Sequence, residues 1–152
     1  MKFREGGSSE LHDLVKHGEE FWTHTTYFKR GREYNQSAVA VLCANLMLQD
    51  NGFIVVMLDE EDKCQGFGLV VVAPFVFDPS YKAALELAYY IAPKHRGKYG
   101  VRLMQEMEKT AKRYGAEFMS MITMEDSNPE AAARVYNKLG YTKNEVVYTK
   151  EL

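Results

Sequence analysis

The chain has 152 residues, 46% of them hydrophobic, a length that fills one hydrophobic core and is short for two, so a single domain over residues 1–152 is expected. Nineteen Lys and Arg stand against 21 Asp and Glu for a formal charge of −2, with no basic block to gather nucleic-acid phosphates or anionic lipid, which argues against nucleic acid or a membrane as partner. The apolar runs 53–58 and 69–77 fall far below the roughly 20 residues that cross a bilayer, the first five residues carry no apolar signal core, and Cys43 and Cys64 have no Cys or His at metal-ligand spacing; a cytoplasmic chain with reduced thiols and no metal is the expectation.

In chain order, a short strand at 2–4 precedes a helix capped by Ser8 or Ser9, with Leu11, Leu14 and Val15 on one face, running to about His17 before Gly18. Residues 19–34 are rich in aromatics (Phe21, Trp22, Tyr27, Phe28) and have no clear period. Asn35 or Ser37 caps a second helix with Val39, Leu42, Leu46 and Met47 at helical spacing, stopped by Asn51-Gly52. A hairpin follows, strands 53–58 and 65–73 about the polar turn 59–63. Asp78-Pro79-Ser80 marks a turn, and 83–92 is the next strand, ending at Pro93.

From Gly100 the period becomes helical through Val101, Met104, Ala111 and Tyr114, with Gly115 closing the helix. A strand at 117–123 comes next. Asn128-Pro129 then opens a helix by the cap-then-proline pattern, carrying Ala131, Ala132, Val135, Tyr136 and Leu139 to Gly140, and 145–150 reads as a last strand. Strand 83–92, helix 100–114 and strand 117–123 make a βαβ unit whose strands should be parallel with a right-handed crossover. The class is α/β (α+β).

A strand that enters a helix through a basic, glycine-containing turn is suited to a pyrophosphate, because the first helical N–H groups have no partner and sit at the positive end of the dipole. Lys94, His95, Arg96 and Lys98 would add charge there, and Gly97 and Gly100 would admit close backbone approach. Glu86 is the only acid in strand 83–92. A carboxylate in an apolar strand is either a functional group or a solvent-facing one, and alternation would put it on the face of Ala88 and Tyr90.

The string Tyr90-Ile91-Ala92-Pro93-Lys94-His95-Arg96-Gly97-Lys98-Tyr99-Gly100 resembles the acetyl-CoA signature of the GNAT acetyltransferase superfamily, Q/R-x-x-G-x-G/A. Downstream, Asn128-Pro129-Glu130-Ala131 and Tyr136-Asn137-Lys138-Leu139-Gly140-Tyr141 resemble its second block. The turn is one residue short of the pattern, and Asn128 precedes Tyr136 by eight residues where seven is usual. A shortened turn and an ending like Tyr148-Thr149-Lys150-Glu151-Leu152 also resemble a phage-encoded subgroup.

The resemblance implies a GNAT fold, a mixed central sheet with helices on both faces and a splayed pair of parallel strands. It implies acetyl-CoA as co-substrate and an amine acceptor, no metal, a bacterial or host cytoplasm, and allows a homodimer. Cofactor contacts would come from Tyr90, Ile91 and Ala92 on the strand, from His95, Arg96, Gly97, Lys98, Tyr99, Gly100 and Val101 at the turn, and from Asn128 and Tyr136. Tyr136 would be the acid and Glu86 the base, with Glu125 and Asp126 behind it; Phe21, Trp22, Tyr27 and Phe28 fall on the acceptor side. A non-catalytic acyl-CoA-binding or protein-interaction module on the same fold is the alternative.

Overall fold

A computed structural model describes residues 1–126 and 128–152. Its contacts fall into two compact units, Met1–Ile122 and Thr123–Leu152.

The first unit is a five-stranded sheet in the order β1-β2-β3-β4-β5. The strands are β1 (Lys2–Glu5), β2 (Gly52–Leu58), β3 (Cys64–Phe75), β4 (Asp78–Ile91) and β5 (Phe118–Ser120). Neighbours are antiparallel except β4 and β5, which are parallel. Helices α1 (Leu11–Trp22), α2 (Thr26–Lys29), α3 (Gln36–Leu48) and α4 (Gly100–Arg113) complete it.

Every residue of β2 is buried, so the sheet is covered on both faces and this strand reads as an unbroken apolar run. Alternation divides its side chains. Ile54, Val56 and Leu58 join Leu14, Cys43, Leu46 and Phe67 under α1 and α3, while Phe53, Val55 and Met57 join Leu103, Met107 and Ala111 of α4. Each such burial contributes roughly 1.5–3 kcal/mol. The mixed sheet with helices on both faces is thus as expected, and so is the parallel pair.

Several boundaries differ from the sequence expectation. Helix α1 runs through Gly18 to Trp22. The glycine serves a contact there, since a Cβ on it would lie 2.4 Å from the Tyr34 hydroxyl, which itself donates to the Val15 carbonyl at 2.8 Å. The undecided stretch 19–34 resolves into the end of α1 and the single turn α2, capped by Thr25, whose Oγ1 accepts from Phe28 N–H.

The β3–β4 turn is Val76-Phe77, and Asp78, Pro79 and Ser80 already belong to β4. The strand expected at 117–123 is only Phe118–Ser120, because its ladder holds to β4 just from Ala83 to Leu85. Residues 145–150 form no strand: Val146, Val147 and Tyr148 are exposed, and a strand needs a sheet edge to pair its N–H and C=O groups. The second unit contains α5 (Pro129–Lys138).

The entry to α1 is fixed by one buried carboxylate. Glu10 receives Arg4 in fork geometry at 3.0 and 3.1 Å and the Gly7 N–H at 2.9 Å, and Ser9 adds its hydroxyl. Burial alone would raise its pKa, but these donors outweigh it and bring it down to about 2. Its contribution is therefore present above the ordinary carboxylate pKa and lost as pH falls toward 2. We expect Glu10→Ala to cost about 3 kcal/mol at pH 7, the low end for a broken buried pair because Arg4 keeps solvent contact. Urea unfolding should show that deficit shrinking near pH 3.

Candidate active site

The site grows out of the point where β4 parts from β5. Their parallel ladder runs Ala83↔Phe118, Ala84↔Met119, Leu85↔Ser120 and ends, while β4 continues to Ile91 paired only with β3. This is the splayed pair that the resemblance implied. Since Ala92 N–H donates to the Gln65 carbonyl of β3 at 2.9 Å, strand alternation turns the polar groups of Ile91 to the opposite, opened edge. The Ile91 carbonyl there accepts from Arg96 Nε at 3.0 Å.

A register shift marks the same region. Leu69 faces Ala88 and Val70 faces Glu86, so Leu87 is the extra residue of a bulge. The expected alternation across Glu86, Ala88 and Tyr90 is thereby corrected. Val70 belongs to the α4-side core and Leu69, Ala88 and Tyr90 to the α1/α3-side core, so Glu86 shares the α4 face and the two others take the opposite one.

Glu86 is 5% exposed, which removes the solvent-facing alternative. One carboxylate oxygen accepts from Ile122 N–H at 2.7 Å, spanning the gap just beyond the last ladder pair. Burial raises its pKa to about 7, against the lowering effect of that one N–H. It is thus a proton acceptor poised near neutrality. No sequence signal marks the bulge or the Ile122 contact.

Beyond Ile91 the chain makes a short 3-10 turn at Pro93–His95, then reaches α4 through Arg96, Gly97, Lys98 and Tyr99. Gly97 has φ 77°, a left-handed conformation that suits glycine. Gly100 is small for another reason: a Cβ there would lie 2.8 Å from the hydroxyl of Tyr89. The first ladder bond into α4 is Leu103 N–H to the Tyr99 carbonyl at 3.0 Å, leaving the N–H groups of Gly100, Val101 and Arg102 at the helix start without an intrahelical acceptor.

Charge around this helix start is positive. Lys94, Arg96, Lys98 and Arg102 are all exposed; Lys98 lies over the Tyr99 ring at 5.0 Å and Arg102 over Phe3 at 4.9 Å. His95 departs from the expected charge set. Desolvation and the neighbouring Lys94 lower its pKa, so it is mainly neutral at pH 7. Its Nε2 is enclosed with no hydrogen-bond partner among the described residues. Arg96 also stacks on Tyr90 at 5.9 Å, tying the turn to the strand end.

Asn128 and Tyr136 belong to the second unit. Asn128 caps α5, its Oδ1 accepting from Ala131 N–H at 3.1 Å. The Tyr136 ring packs on Tyr141 with centroids 5.7 Å apart. Glu125 and Asp126 are exposed in a turn. Among the described residues no cluster of His, Cys, Asp and Glu could hold a metal, and no helix is long and apolar enough to cross a membrane.

A parting parallel pair, a bulged strand and an anion-ready helix start thus come together along β4 and the turn that follows it. The sequence profile of the acetyltransferase (GNAT) family matches residues 12–141, and the chain belongs to that family. No curated protein is detectably similar in sequence. Among solved structures, a probable acetyltransferase aligns with TM-score 0.77 at 18% identity, covering 100% of this chain and 98% of its own. A transcriptional regulator from Bacillus halodurans C-125 aligns with TM-score 0.78 at 15% identity over 99% of each chain. A ribosomal-protein-alanine N-acetyltransferase from Brucella melitensis biovar Abortus 2308 aligns with TM-score 0.73 at 12% identity over 100% of each. At such identities the likeness is one of fold.

Because the folded pKa of Glu86 is raised, the native state holds its proton more tightly than the unfolded chain between the ordinary value and about 7. Stability should therefore fall as pH rises through that window, by about 3 kcal/mol at most at 1.36 kcal/mol per pKa unit. Urea unfolding at pH 5 and pH 8 should show the loss in the native protein and not in Glu86→Gln. Separately, Gly97→Ala should cost roughly 1–2 kcal/mol through its left-handed backbone, read as a lowered Tm.

Proposed function

We propose that the chain is an acetyl-CoA-dependent N-acetyltransferase that moves an acetyl group directly to a primary amine. The observation that carries this reading is the buried Glu86, with a pKa near 7, set at the opening where β4 leaves β5 and leads into the helix start of α4. The pyrophosphate would take the free N–H groups of Gly100 to Arg102 and the cations Lys94, Arg96 and Lys98. The pantetheine amides would pair with the opened edge of β4, where Ile91 turns its backbone polar groups outward, while Tyr90 and Ala92, whose backbone groups face β3, would hold that edge in place. His95, Gly97, Tyr99 and Val101 shape the turn between these two contacts.

In this reading Glu86 accepts the ammonium proton of the acceptor, directly or through a water. The freed amine nitrogen bonds to the thioester carbonyl carbon, the C–S bond breaks, and the electron pair leaves on sulfur. Tyr136 supplies the proton for that thiolate, and Asn128 holds the arm in the register of the family's second block. Positioned proton transfer of this kind contributes about 10²–10⁴-fold to rate. Fold relatives act on different amines, one being named an aminoglycoside acetyltransferase and another a ribosomal-protein-alanine N-acetyltransferase, so the fold alone does not choose the acceptor.

Acetyl-CoA should raise Tm, and CoA thiol should be released in the presence of a suitable amine. Glu86→Gln should lower kcat by about 10²-fold or more and abolish the rise of kcat/KM through pH 7. Tyr136→Phe should lower kcat with little change in acetyl-CoA affinity. A chain that binds acetyl-CoA yet releases no CoA over a broad panel of amines would instead be the non-catalytic module.

A further inference from the structure

The larger part of α1 and α3 is not used by the chemistry above, and between them and the sheet lies a cavity of about 160 Å³. Its lining includes Leu14, Phe21, Trp22, Tyr34, Val39 and Phe67, with Leu87 and Ala88 contributed by β4. We propose that this cavity receives the apolar end of the acceptor, so that the acceptor is a primary amine carrying a compact aryl or branched alkyl group. This rests on the transferase reading and names its substrate class.

Size and lining agree on the occupant. Apolar cavities near 150 Å³ stay dry and take up a benzene-sized guest. The wall offers almost no free polar group: the Tyr34 hydroxyl is committed to the Val15 carbonyl, and burial pushes Tyr34 up to about 12 and the Cys43 thiol up to about 11, so both stay neutral. Leu42 and Leu87 of the lining are 38% and 44% exposed, which opens the cavity to solvent at their edge. A sugar or polyamine would leave its donors unpaired against such walls.

Position links the cavity to the reaction. Leu87 and Ala88 directly follow Glu86, and the bulge at Leu87 turns the strand from the face of the carboxylate to the face of the cavity. Beyond Leu85 the edge of β4 is open, and since the cavity and Glu86 lie on opposite faces of the sheet, the amine end of a guest would meet the carboxylate around that edge. Tyr90 packs on Phe21 and Phe67 of the wall and donates to Glu20, and Tyr90 and His17 together hold that carboxylate below its usual pKa. Arg96, also on Tyr90, has its Nε committed to Ile91.

Trp22 is the only tryptophan of the chain and lies in the wall, so its emission reports occupancy without any turnover. We expect 2-phenylethylamine to shift that emission saturably and ethanolamine to leave it unchanged. In acetyl transfer, kcat/KM should favour 2-phenylethylamine by about 30- to 100-fold. Val39→Phe, which fills the cavity, should bring the two amines within about threefold of each other; Leu42→Phe at the half-exposed rim tests the same point should the first variant fold poorly.

Equal use of both amines with a silent Trp22 would overturn the inference and leave the transferase reading standing. A Trp22 response to phenylacetyl-CoA or hexanoyl-CoA, with none to amines, would also overturn it, making the cavity an acyl site. A Trp22 response to 2-phenylethylamine with no CoA release from any amine upholds the occupant and sinks the transferase reading.

Discussion

Beyond Leu85, β4 has a ladder on one edge only. An exposed run of strand N–H and C=O groups is ordinarily a liability that proteins cover, and a sheet interior is where it is least expected. Here the same chain that loses its partner runs within a few residues into the start of α4, so two sets of unmatched backbone groups lie in sequence, one along a strand and one at a helix end. Under the proposed function both would be satisfied by the same kind of molecule, an extended arm of amides ending in a pyrophosphate. What remains of the site depends on that parting.

The parting is held open by specific contacts. Glu86 reaches across to Ile122 just past the last ladder pair, which fixes the two segments at side-chain distance in place of backbone distance. At the far end, Arg96 takes the Ile91 carbonyl and stacks on Tyr90, so the turn cannot swing away from the strand it follows. Gly100 lets the Tyr89 hydroxyl close on the helix start. A buried acid with a single N–H donor keeps its proton to near neutrality, and the feature that holds the cleft is thus also the one equipped to accept a proton in it.

The bulge at Leu87 lets one strand serve two faces. Without it, strict alternation would set Glu86 and Ala88 side by side, and either the acid would intrude on the apolar cavity or the cavity floor would turn toward α4. With it, the carboxylate sits on the α4 face and the apolar floor on the α1/α3 face. An uncharged cavity and an ionisable group can then adjoin without the desolvation cost of sharing one wall.

The division between sequence and structure follows the range of the forces involved. Helical periods, caps and glycines are local, so α3, α4 and α5 were legible from Asn35, Gly100 and Asn128-Pro129, and the basic turn before α4 with the block around Tyr136 named the family. Misreadings came where a contact made elsewhere in the chain decided: Gly18 continues α1 because Tyr34 needs its space, β5 stops at Ser120 because β4 leaves it, and 145–150 is no strand, since pairing is a property of two segments. The sequence by itself determined most of the elements, the fold class and the acid at position 86. Only the tertiary structure decided which face that acid takes, that it is buried with a raised pKa, and that Phe21, Trp22 and Tyr34 enclose a cavity, because a bulge, a desolvation and an enclosed volume exist only once distant segments meet.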